Sequence, residues 1–127
     1  MRTRPTTTAA AVLAAVLASG CASDGMDSPS AFADRDPITV AVRNDNFLDM
    51  TIHAVASGRS ERLGTVTTGQ TKRFELPQTM LLTDLYLTAD PIGSSNEYRS
   101  PRIPAVPGDE IVLTVRAYLD QTYYHVR

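Results

Sequence analysis

From residue 37 to the C-terminus, apolar residues recur at every second position, the spacing at which side chains alternate between the two faces of a strand. Ile38, Val40 and Val42 fall on one face, with Thr39, Ala41 and Arg43 on the other. Past the polar turn Asn44-Asp45-Asn46, a second alternation sets Met50, Ile52, Ala54 and Ala56 against Asp49, Thr51, His53 and Val55. These two runs are expected to be neighbouring antiparallel strands. Residues 63–66 and 71–76 flank Thr67-Thr68-Gly69-Gln70, where Gly69 supplies the positive φ of a tight turn, so a hairpin is expected there, ended by Pro77. Residues 81–89 form a further run, stopped by Asp90-Pro91 and the polar loop 92–96. Residues 97–103, broken by Pro101 and Pro104, suit an edge strand. Pro107-Gly108 has the residues of a type II turn, after which Ile111, Leu113, Val115 and Ala117 alternate with Val112, Thr114, Arg116 and Tyr118.

No segment after the first twenty residues carries apolar positions at helical spacing. The expected class is all-β: a small antiparallel β-sandwich of six to seven strands. The stretches LGTVTTGQTKRFELP and VPGDEIVLTV are similar to runs found in many immunoglobulin-like and transthyretin-like bacterial domains. That resemblance implies sheet architecture and carries over no functional residue.

The N-terminus follows a different pattern. Arg2 and Arg4 precede residues 9–18, an uncharged run of Ala, Val and Leu. Ten residues at about 1.5 Å each cover about 15 Å of helix, half the ~30 Å thickness a membrane span must match, so the run suits a removable export signal. Small residues Ser19 and Gly20 then lead into Cys21, the single cysteine. The segment resembles the lipobox of bacterial lipoproteins, with Ala18 at the position where Leu is commonest and Leu17 one residue upstream. The resemblance covers residues 1–21. It implies a diacylglyceryl group on the Cys21 thiol and cleavage just before it. Three regions follow: a signal peptide, 1–20; a lipidated flexible tether, 21–36; and the sandwich domain, 37–127.

Arg-Thr-Arg in place of adjacent arginines favours general secretion over the twin-arginine route. Ala22 stands where Asp, by resemblance to enterobacterial lipoproteins, would favour the inner membrane. The expected address is therefore the cell envelope, and the outer membrane where the host has two. Residues 22–36, rich in Ser, Asp and Ala, would span about 50 Å at full extension.

The 127-residue chain has a net charge of −2. Loss of Arg2 and Arg4 with the signal leaves ten basic side chains against fourteen acidic, which offers no basic footprint for nucleic acid. With Cys21 committed to lipid no disulfide is available, and the hydrophobic core alone must hold the fold.

Candidate chemistry is sparse. No nucleophile elbow, zinc-protease helix, phosphate loop or paired-cysteine spacing occurs, so no catalytic residue, cofactor site or metal site is assigned. Asp49 and His53 share a strand face and would need His125 to complete a metal trio; exposed imidazoles on an outer face explain them as well. Asp109 and Glu110 are adjacent and point to opposite faces, which suits strand entry rather than shared acid/base work. Arg59, Arg62, Lys72 and Arg73 bracket the expected hairpin as a small positive patch or as ordinary solubilising charges.

Three of the five tyrosines, Tyr118, Tyr123 and Tyr124, lie in the last ten residues. They form a candidate interaction surface, part of a final strand, residues 122–126, or a frayed tail. The expected function is a membrane-anchored, non-catalytic binding or scaffolding domain with an envelope partner. The alternative is a small-ligand or carbohydrate module that uses Tyr86, Tyr98 and the tail tyrosines as stacking platforms, with a minimal hydrolase behind it.

Overall fold

The computed structural model describes residues 36–80 and 84–127. The signal, Cys21 and all but the last residue of the tether lie outside the described residues. Eight strands make up two four-stranded sheets: β1 (Thr39–Asn44), β2 (Met50–Ala56), β3 (Arg59–Val66), β4 (Thr71–Glu75), β5 (Tyr86–Pro91), β6 (Tyr98–Arg99), β7 (Glu110–Val115) and β8 (Tyr123–Val126). Single 3₁₀ turns at Gln78–Met80 and Leu119–Gln121 are the helical elements among the described residues. One sheet has the order β4-β1-β7-β8 and the other β3-β2-β5-β6. The all-β sandwich is as the alternation predicts, but with eight strands in place of six to seven, β5 running on through Asp90 and Pro91 to pair with β2, and β6 reduced to two residues beside Pro101. One pair, β1 with β7, is parallel.

The inward positions are those in phase with Val40 and Ile52. Val40, Val42, Met50, Ile52, Leu87, Ile111, Leu113 and Val115 are completely buried, and the partly buried Phe74, Tyr98 and Tyr124 pack around this aliphatic centre. Burial of such side chains, worth about 1.5–3 kcal/mol each, drives the two sheets together.

Two sequence expectations about neighbours fail. β1 and β2 are not paired: they lie in different sheets, with β1 between β4 and β7. The 67–70 turn exists, closed by Gln70 N donating to Thr67 O at 3.1 Å, with Gly69 at φ 76°. It does not make a hairpin, because β3 belongs to one sheet and β4 to the other. Backbone bonds from Asn44 N to Gln70 O (2.9 Å) and from Gly69 N to Asn44 O (2.7 Å) dock the turn on the end of β1 and steer the chain across the sandwich. The tight hairpin is instead β2–β3, which pairs Ala56 with Arg59 around Ser57-Gly58, both at positive φ (50° and 76°). Positive φ at both central residues is the requirement of a type I′ turn, and glycine meets it without steric cost.

The strands alternate in direction so that four loops gather at one end: 45–49, 67–70, 92–97 and 116–122. Asp36 enters at the other end, where its carbonyl accepts from Gly108 N at 3.1 Å. Arg127 also lies there, exchanging backbone bonds with Glu110 at the start of β7.

Candidate functional site: the loop-end groove

At the end far from Asp36, three of the loops surround an open groove of about 750 Å³. One wall is Asn46, Phe47 and Leu48; a second is Pro91 with residues 94–97; the third is residues 117–120. Phe47 is 82 % exposed and Tyr118 70 % exposed, so two aromatic side chains stand on the rim against water. Exposed large apolar groups at one place are the informative departure from an ordinary soluble surface.

What holds the rim is a pair of buried asparagines. The Asn46 amide donates to the carbonyls of Arg116 (2.8 Å) and Ala117 (2.9 Å), and its Oδ1 accepts from Leu48 N (3.0 Å). Phe47 therefore sits between two residues pinned by one side chain, and the same side chain locks its loop to the Tyr118 loop. Asn44 supports Asn46 from below, its Oδ1 accepting from Asn46 N at 2.9 Å. Ile92 N donates to Asp49 O at 2.8 Å and joins the 92–97 loop to the 45–49 loop. On the Tyr118 side, Gln121 N donates to Tyr118 O, and Arg116 N to Thr122 Oγ1 at 3.1 Å. A rim fixed this way loses little conformational entropy when something binds.

The charges at this end divide into paired and unpaired. Arg43 and Arg116 both address Asp45, at 2.8 and 3.9 Å. Glu97 and Asp120 line the groove and make no ion pair among the described residues.

The tyrosines expected to share a surface diverge. Tyr118 lines the groove. Tyr123 lies opposite Thr114 on the outer face of its sheet, half exposed. Tyr124, the next residue on the same strand, points the other way; it packs on the core and donates its hydroxyl to Arg102 O at 3.1 Å. Of the strand, interaction element and frayed tail open to residues 122–126, the structure has the strand: Tyr123–Val126 pairs with β7. Tyr86 and Tyr98 do not join them: the Arg99 guanidinium lies 3.7 Å over the Tyr86 ring, while Tyr98 packs on the core from β6. Burial, and secondarily the neighbouring Tyr124, raise the Tyr98 pKa above the usual tyrosine value.

The other candidates also separate. His53 and His125 sit on strands of different sheets, Asp49 accepts from Thr68 N at 3.1 Å, and no metal-ligating trio forms among the described residues. Asp109 caps its own turn by accepting from Val106 N at 2.8 Å, whereas Glu110 lies between Arg73 (3.1 Å) and Arg127 (2.6 Å). Arg59 and Arg62 belong to β3 and Lys72 and Arg73 to β4, so the four bracket a crossing between sheets, not one hairpin. Phe47, Asn96 and Glu97 were not singled out by the sequence, although an apolar Phe47-Leu48 pair directly after Asn44-Asp45-Asn46 was a visible sign of an unusual turn.

The fold and groove define the class as a small two-sheet β-sandwich with a braced loop-end groove. No protein-family model and no curated protein matches the chain. A solved structure described as the NMR structure of the protein from Eubacterium rectale aligns with 72 % of this chain and 88 % of its own, at 9 % identity and a TM-score of 0.48. A likeness that loose carries no argument about function.

Proposed function

We propose that the protein is a lipid-anchored binding domain of the cell envelope, non-catalytic, held to the membrane through Cys21 and engaging its partner at the loop-end groove. The observation that carries this reading is the polarity of the sandwich. The last residue of the tether, Asp36, enters at one end, and the exposed, braced aromatics Phe47 and Tyr118 stand at the other, about 20 Å away along six-residue strands. A tether at one pole and a binding rim at the opposite pole would direct the rim away from the bilayer. The lipobox resemblance at Ser19-Gly20-Cys21 supports the anchor. Two or more acyl chains are needed for stable attachment, which a lipoprotein amine and thiol together supply.

The test has two arms. Intact mass of membrane-extracted protein should give a chain that begins at diacylglyceryl-Cys21, and Cys21→Ser should leave the membrane fraction; an unmodified thiol overturns the anchor. A photocrosslinking side chain at position 118 should give discrete adducts in the native envelope, whereas one at position 107, at the Asp36 end, should not. Equal labelling from both positions overturns the assignment of the binding end.

A further inference from the structure

We propose that the loop-end groove binds a neutral carbohydrate chain, with pyranose faces against Tyr118 and Phe47 and hydroxyls held by Asn96, Glu97 and Asp120. This rests on the reading of that end as the binding pole and specifies the chemistry of its ligand.

The lining of the groove eliminates the other ligand classes. No lysine or arginine lines the groove, and Arg43 and Arg116, which flank two of its loops, pair with Asp45. Two carboxylates without ion partners, Glu97 and Asp120, face the same space. A phosphate, a nucleic acid or an anionic headgroup would meet only negative charge there. Polar and apolar residues line the groove in equal share, and it is open to solvent, so an acyl chain would leave much of its length wet and would strand polar groups beneath it.

A sugar matches both halves. Its axial C–H face is apolar and flat, the shape that a fixed aromatic ring covers well; its rim of hydroxyls both donates and accepts. The Asn96 amide and the Glu97 and Asp120 carboxylates make no side-chain hydrogen bond among the described residues, which leaves two acceptor groups and one group of both kinds for those hydroxyls. Tyr118 and Phe47 supply rigid contact area with only two torsions each, on loops already pinned by Asn46. The groove volume, about 750 Å³, falls within the ordinary range for ligand sites and leaves room for more than one ring.

The experiment uses the full chain in a polyoxyethylene detergent, which contains no sugar, captured on a sensor surface. Neutral oligosaccharides of glucose, N-acetylglucosamine and mannose are passed over it at up to millimolar concentration. At least one should bind saturably. Tyr118→Ala and Phe47→Ala should each weaken it about tenfold without changing the melting temperature, since both side chains are exposed, and Tyr123→Ala should have no effect. Added salt should not weaken binding of an uncharged ligand. Failure of every saccharide, or binding indifferent to Tyr118→Ala and Phe47→Ala, overturns the proposal. If position 118 still crosslinks a protein in the envelope while no saccharide binds, the carbohydrate assignment falls and the binding pole stands; if neither occurs, both fall.

Discussion

Asn44, wholly buried at the end of β1, donates its amide to the carbonyl of Val66 at the end of β3, 2.9 Å away in the opposite sheet. A second amide hydrogen goes to Leu48 O at 2.8 Å, and the Oδ1 receives Asn46 N. One side chain thus ties the two sheets together and fixes the loop that carries Phe47.

Asn44→Ala would leave two carbonyls and one N–H without that partner inside the sandwich. Unsatisfied buried groups cost about 1–3 kcal/mol each, partly offset by water and relaxation, so we expect a loss of roughly 2–4 kcal/mol. Urea unfolding measures it. Asn46→Ala, nearer the surface, should cost less and raise hydrogen exchange at residues 46–48 and 116–118. A loss below about 1 kcal/mol for Asn44→Ala would mean the network contributes little.

How much of this was legible beforehand follows from what alternation encodes. Period two identifies strands and their inward residues, and Val40, Ile52, Leu87 and Leu113 all lie where it puts them. It is silent on which strand pairs with which, because a strand that stays in its sheet and one that crosses to the other bury the same alternate positions. That is why the turn at Thr67-Thr68-Gly69-Gln70 was legible and the separation of β3 from β4 was not. The groove was hidden for a related reason: Phe47, Glu97 and Tyr118 come from three loops distant in sequence, and long-range contacts such as the hydrogen bonds of Asn46 and Asp49 bring those loops together.

Gly64 shows the same packing at a single contact. A Cβ built there would lie 2.8 Å from Cε1 of the Phe74 ring, at the bulge in β2–β3 pairing, at φ 156°. Glycine lets β3 approach Phe74 of the opposite sheet. Gly64→Ala should destabilise by about 1–3 kcal/mol through overpacking and strain. In a Phe74→Leu background the penalty should shrink, a coupling that a double-mutant cycle reads directly. Additive effects would show that backbone strain, not the ring, sets the cost.

Tyr98 predicts an alkaline limit to stability. Its folded pKa is raised, first by burial and then by Tyr124, so the native state holds the proton more tightly than the unfolded chain does. The stabilisation is fully present below the unfolded value, about 10, and is lost as pH rises through the folded one. Absorbance titration near the phenolate band should show one late-titrating tyrosine, absent in Tyr98→Phe, and the variant should lose less stability at high pH. An alkaline titration left unchanged by Tyr98→Phe would refute it.

The C-terminal strand separates structural from surface tyrosines. β8 pairs with β7 through Ile111–Val126 and Leu113–Tyr124, and Thr122 closes the preceding turn through its hydroxyl. Deleting residues 122–127 would uncover Ile111 and Leu113, remove the Tyr124 ring from the core edge and free the β7 ladder. We expect a loss of about 2–4 kcal/mol. Tyr124→Phe, which removes only the bond to Arg102 O, should cost about 1 kcal/mol or less, because that bond is exposed. Tyr123→Ala should change stability little, its ring being half exposed on the outer face. Chemical denaturation of the three variants ranks them. If Tyr123→Ala proved as costly as the deletion, the outer face of that sheet, not the core edge at Tyr124, would be what β8 contributes to the fold.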